Sequence, residues 1–128
     1  MTDNSLDRED DYLMPFQRLD VYRCSKELVV SVQRAVVRDE ELRDQIRRAS
    51  KSVFLHVAEG LPNYSLPMRR KYFVGARNSV CETSAAADGA LAIGCLDRPT
   101  ALDIMQRCQN IARMSSSACS TSWARSRS

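Results

Sequence analysis

The chain has 128 residues and a mass of 14.5 kDa, enough for one ordinary domain and too short for two. Charged residues make up 27% and hydrophobic residues 44%, the balance of a soluble globular protein rather than a disordered or membrane-embedded one. Aromatics at 6%, four Gly and four Pro disfavour a turn-rich sandwich or barrel and favour helices; the formal net charge is +3.

Residues 1–15 read as an acidic flexible tail, with Asp3, Asp7, Glu9, Asp10 and Asp11 set against Arg8. A signal peptide would be basic and then apolar there. The longest apolar run, Ala90 to Leu96, is far below the ~20 residues of a membrane span, so no membrane and a cytoplasmic location are expected. From Phe16 to about Val37, Leu19, Tyr22, Val29, Val32 and Val36 recur near the helical period. Asp39, Glu40 and Glu41 then precede a second helix over about Leu42–Glu59, its stripe Leu42, Ile46, Ala49, Val53 and Val57. Gly60 stands at the position of a C-terminal glycine cap, with Pro62 behind it.

Ser65 is a candidate N-cap for a third helix, with Pro67 tolerated in its first turn. Its stripe, Phe73, Ala76, Val80, Ala87 and Leu91, carries it to about Gly94. Asp97 or Thr100 can cap a fourth helix, on which Leu102, Met105, Cys108, Ile111 and Ala112 form the apolar face. After Met114, residues 115–128 hold seven serines and read as a flexible Ser/Arg-rich tail in which Trp123 stands alone. The expectation is an all-α domain over residues 16–114, an antiparallel up-and-down four-helix bundle.

Charge is uneven. Residues 43–77 hold Arg43, Arg47, Arg48, Lys51, Arg69, Arg70, Lys71 and Arg77 against Asp44 and Glu59, and arginine supplies most of the basic groups of the chain. The guanidinium fork suits phosphate, so a polyanion is one reading and a solvated face the plainer one. Arg43, Arg47 and Lys51 fall on one flank of the second helix, Gln45, Arg48, Ser52 and Glu59 on the other; Leu55 points away from the core and Phe54 to one side. On the third helix Gly75, Ser79, Thr83 and Ala86 make a seam of small residues beside Glu82. That seam suits either the fourth helix of the same chain or another subunit.

Catalytic constellations are absent. His56, the one histidine, forms H-x-x-E with Glu59, the reverse of a di-iron order, and reads as a packing histidine. Glu59 and Glu82 read as partners of arginines such as Arg48. Cys24, Cys81, Cys95, Cys108 and Cys119 contain no C-x-x-C and read as reduced, mostly buried thiols, with Cys81 in an apolar setting mid-helix. No enzyme activity, no cofactor and no metal site are expected.

The string Gln45-Ile46-Arg47-Arg48-Ala49-Ser50-Lys51-Ser52-Val53-Phe54-Leu55-His56-Val57-Ala58-Glu59-Gly60 resembles the signature Q-[LI]-R-R-A-x-x-S-[IV]-x-x-N-[IV]-A-E-G. That signature marks four-helix-bundle proteins encoded within intervening sequences of bacterial large-subunit ribosomal RNA genes. Phe16 to Tyr22 is similar to the family's F-x-x-L-x-V-[YW], and Phe73 to Thr83 to its F-x-x-A-x-x-S-x-x-E-[TL]. The family resembles in turn the accessory protein of diversity-generating retroelements, a positively charged ring that works with RNA and a reverse transcriptase. The resemblance implies a ring-like homopentamer without catalytic activity, with RNA or DNA binding as the usual suggestion. His56 departs from the family's asparagine, and the Ser-rich stretch after Met114 replaces an apolar helix end.

The resulting expectation is a non-enzymatic homo-oligomer that binds structured RNA or other nucleic acid through Arg43, Arg47, Lys51, Arg69, Arg70 and Lys71. Its copies would meet through Arg48, Phe54, Leu55, Glu59, Gly75, Ser79 and Glu82. The rival readings are a protein-interaction scaffold with no nucleic acid and, third, a metal-binding bundle.

Overall fold

In the computed structural model the backbone is described for residues 9–119 and the side chains for residues 11–117. The acidic tail up to residue 8, Trp123 and the last nine residues, and the side chain of Cys119, lie outside the described residues. Short 3-10 turns at Glu9–Tyr12 and Pro15–Arg18 lead into four helices: α1 (Asp20–Arg34), α2 (Glu40–Gly60), α3 (Leu66–Ala92) and α4 (Arg98–Cys119). There is no strand among the described residues, and the fold is all-α.

Helix ends follow local chemistry. The Asp39 carboxylate accepts from the Leu42 amide at 2.9 Å and caps α2, while Glu40 and Glu41 sit at its electropositive first turn. Ser65 Oγ accepts from the Met68 amide and caps α3, with Pro67 in the first turn. At the other end of α3, Gly94 takes φ +77°, the Cys95 amide reaches back to the Ala90 carbonyl (2.9 Å) and the Gly94 amide to the Leu91 carbonyl (3.0 Å). This is a Schellman motif, for which glycine suffers no Cβ penalty. Asp97, rather than Thr100, caps α4: its carboxylate accepts from the Thr100 amide (3.1 Å) and hydroxyl (2.9 Å). Both hydrogen bonds hold that carboxyl below its ordinary pKa, the hydroxyl most.

The core faces differ from the expected stripes by one position in two helices. Leu28, not Val29, is fully buried in α1, and Val36 lies beyond the helix end, 68% exposed. Ala101 and Ile104, not Leu102, face inward in α4. Gly60 is the last residue of α2 and not a left-handed cap; a Cβ there would press on Phe73 Cε2 and Tyr72 Cβ at 3.0 Å, so its value is close approach of α2 and α3. The fourth helix continues through the serines to Cys119 instead of ending at Met114, with Ser115 buried and Ser116 Oγ donating to the Ala112 carbonyl.

Packing is most extensive between α2 and α3, then α3 and α4, α1 and α2, and α1 and α4. The core fills with Leu28, Val32, Ile46, Val53, Val57, Phe73, Leu96, Ile104 and Ile111. The connectors on either side of the α2–α3 hairpin meet: the Arg38 amide donates to the Cys95 carbonyl (2.9 Å) and its guanidinium to the Gly94 carbonyl (2.6 Å). Arg107 pairs with Glu27 of α1 (3.4 Å) and with Asp103 one turn earlier (3.0 Å). No helix among the described residues is long and apolar enough to cross a membrane.

Candidate functional site

The six cations expected to touch nucleic acid do not form one cluster. Arg43 and Arg47 lie half-buried on the flank of α2 that faces α1, the side on which Phe54 meets Tyr22. The Arg43 guanidinium reaches the Val37 carbonyl (3.4 Å), and Arg47 Nε is buried without a hydrogen-bond partner. Lys51, Arg70 and Lys71 are exposed. Arg69 is a correction: it is 7% exposed and its guanidinium donates to the Asn63 carbonyl (3.3 Å), clamping the α2–α3 connector rather than meeting solvent.

The expected interface residues divide in the same way. Phe54 is half-buried and its ring lies 5.2 Å from that of Tyr22, so it is used between α2 and α1 of the same chain. Gly75 and Ser79 of the small-residue seam of α3 pack on α2 of the same chain. Ser79 is buried and its hydroxyl lies 2.7 Å from Ser52 Oγ; Gly75 lies under the His56 ring, which a Cβ would overlap. The contacts Gly60–Phe73, His56–Gly75 and Ser52–Ser79 step in opposite directions along the two helices and fix their alignment. His56 Nδ1 lies 2.8 Å from the Ser52 carbonyl, which can only accept, so Nδ1 carries a proton and is oriented by α2 itself.

Outside this seam runs the outer face of the α2–α3 pair. Arg48, Leu55 and Glu59 are exposed on α2; Lys71, Val74, Asn78 and Glu82 are exposed on α3. Leu55 is 54% and Val74 53% exposed. Arg48 donates to Gln45 Oε1 (2.8 Å) instead of pairing with Glu59 or Glu82, and neither glutamate holds an ion pair among the described residues.

A second feature lies between α3 and α4, a cleft of about 540 Å³ lined by Val80, Cys81, Leu102, Met105 and Cys108 among others. Cys81 has the apolar neighbours expected of it but is exposed rather than buried, whereas Cys108 is buried and its thiol is pushed up to about 12 by desolvation, with Cys81 adding to the effect. Cys24 is half-buried and also raised, first by burial and then by Glu27 and Asp20. Among the described residues Cys24, Cys81, Cys95 and Cys108 are free thiols, and no group of three or more His, Cys, Asp or Glu is placed to hold a metal ion.

The strings that carry the sequence resemblance therefore describe a helix–helix contact. In the α2 string Ile46, Ala49, Val53, Val57 and Gly60 are buried, while Ser52 and His56 meet α3; in the α3 string Phe73, Ala76 and Ser79 are buried. The model of the 23S rRNA-intervening sequence proteins matches residues 17–117, which span all four helices. The chain belongs to this family. No curated protein matches it. Within a 23S rRNA-intervening sequence protein, the match past Met114 agrees with the continuation of α4. Sequence reading missed two residues that matter here. Asn63 could have been found by its place beside a proline in a connector, whereas the burial of Arg69 had no local signal.

Proposed function

We propose that the protein is a non-enzymatic homo-oligomer, each copy an antiparallel up-and-down four-helix bundle, that binds structured RNA or other nucleic acid through exposed basic side chains. The number of copies suggested by the family resemblance is five. The observation that carries the reading is the outer α2–α3 face: two exposed aliphatic residues, Leu55 and Val74, are flanked by exposed Arg48, Lys51 and Lys71. A second copy would cover the aliphatic residues, and the cations at the margin would add from copy to copy into a larger positive surface. The arrangement of connectors supports the bundle topology, since Arg38 ties the α1–α2 and α3–α4 connectors at one end.

With Arg69 withdrawn and Arg43 and Arg47 half-buried, Lys51, Arg70 and Lys71 are the principal phosphate contacts. Nothing on these helices resembles a base-reading module, so binding is weakly sequence-specific. The test is a titration of structured RNA between 50 and 200 mM salt. Each phosphate neutralised removes about half a decade of affinity over that range, and a flat response rejects the electrostatic mechanism. The scaffold reading is favoured by one fact: the basic residues are dispersed, and Arg48 and Arg69 are already engaged within the chain. Deleting residues 1–11 separates the two, because a scaffold shows no affinity with or without those acids.

A further inference from the structure

The tip of the α2–α3 hairpin carries an aromatic residue with no contact to spare for the fold. Tyr64 is 100% exposed. A single exposed aromatic is ordinary on a protein surface; its setting here is not. The backbone on both sides is pinned. Leu61 is buried, the Asn63 amide donates to the Gly60 carbonyl (3.2 Å), Asn63 Oδ1 accepts from the Ser65 amide (3.0 Å), and the Arg69 guanidinium holds the Asn63 carbonyl. The ring is thus projected from a backbone that is already ordered, which lowers the entropy lost when something stacks on it.

The local charge has one sign. From Gly60 to Cys81 the sequence contains no Asp or Glu, while Arg69, Arg70, Lys71 and Arg77 are basic. Arg70 and Lys71 are exposed, and Lys71 lies about 9 Å along the helix axis from the Ser65 cap at 1.5 Å per residue. An exposed aromatic residue just ahead of α3 and two exposed cations in its first two turns supply partners for the base and the adjoining phosphates of a nucleotide that is not paired. A protein segment would supply the ring contact but not, in general, the run of negative charge.

We propose that the hairpin tip is a contact site for an unpaired nucleotide, Tyr64 stacking on the base while Lys71 and Arg70 hold the flanking phosphates. This deepens the nucleic-acid reading above and rests on it. It adds a preference for single-stranded or looped segments over continuous duplex.

The experiment is fluorescence anisotropy of the full-length protein with two labelled probes, an oligouridine and a fully paired RNA duplex, on the wild type and on Tyr64→Ala, Tyr64→Phe and Lys71→Ala. Tyr64→Ala should weaken oligouridine binding roughly 5- to 150-fold, the worth of one stacked base, with the duplex little affected and Tyr64→Phe close to wild type. Lys71→Ala should weaken both probes and lower the salt slope by about one, whereas Tyr64→Ala leaves that slope unchanged. If the wild type binds both probes and Tyr64→Ala binds oligouridine as well as it does, the stacking site is wrong and the nucleic-acid reading survives. If the wild type binds neither probe, both fail together. Should Tyr64→Ala instead lower the mass found by light scattering, the tip is a contact between copies and the proposal is overturned.

Discussion

Gly75 and His56 form a pair in which each explains the other. The imidazole occupies the space where any side chain at position 75 would begin, and it is held there by its own bond to the Ser52 carbonyl. Gly75→Ala should therefore cost about 1–3 kcal/mol in urea unfolding, the usual range for overpacking. The same change in a His56→Ala background should cost clearly less, a coupling that a double-mutant cycle reads directly. Cys108 provides a second residue-scale test. Its thiol is raised from 9.0 to about 12 because ionising it inside the α3–α4 core is unfavourable, so the unfolded chain releases that proton first as pH rises. The contribution is complete below about pH 9 and is lost between there and about 12, and Cys108→Ala should flatten that alkaline slope. At pH 8 iodoacetamide should label Cys81 in the native protein and Cys108 only after unfolding.

At the scale of the helix, the caps carry most of what a sequence can declare, because capping is settled within three or four residues. Asp39, Ser65 and the turn at Gly94 perform as their neighbours require. Asp97 gives the measurable case. Its carboxylate is fully exposed and stabilised in the charged form by Thr100, so the folded state keeps it ionised to lower pH than the unfolded chain does. Its contribution is present above the ordinary carboxylate range and disappears as pH falls through the lowered value. Asp97→Asn keeps a capping oxygen without the charge. Its urea midpoint should differ from wild type by a constant amount near neutrality, and the gap should close in acid. What the local pattern could not settle was the facing of helices with adjacent apolar residues. Leu28-Val29-Val30 and Ala101-Leu102 each offer two stripes, and only the neighbouring helix decides which is buried. Serine misled for a related reason. In isolation its hydroxyl competes with the backbone and suggests a tail, whereas Ser25, Ser79 and Ser116 turn it onto a carbonyl or another hydroxyl within or between helices.

Across the whole molecule, the four-helix order was legible from periodicity and caps, but the candidate site was not, since it depends on which flank of each helix another helix takes. The cations are regularly spaced along α2, yet packing gives α1 the side with Arg43, Arg47 and Phe54 and gives α3 the side with Ser52 and His56. Self-association is the molecular-scale prediction. Leu55→Asp combined with Val74→Asp changes two exposed positions and should leave the helical signal in circular dichroism intact. In light scattering coupled to size exclusion it should shift the protein toward a single copy, and unchanged mass would remove this face as the contact. The imidazole over Gly75 has one more consequence, for how the chain finds its fold. Two long amphipathic rods can ordinarily slip by a turn and still bury grease. A one-turn slip would bring Tyr72, Lys71, Asn78 or Ser79 under the ring, each with a Cβ where glycine leaves space, so the imidazole weights the hairpin toward the single register seen here.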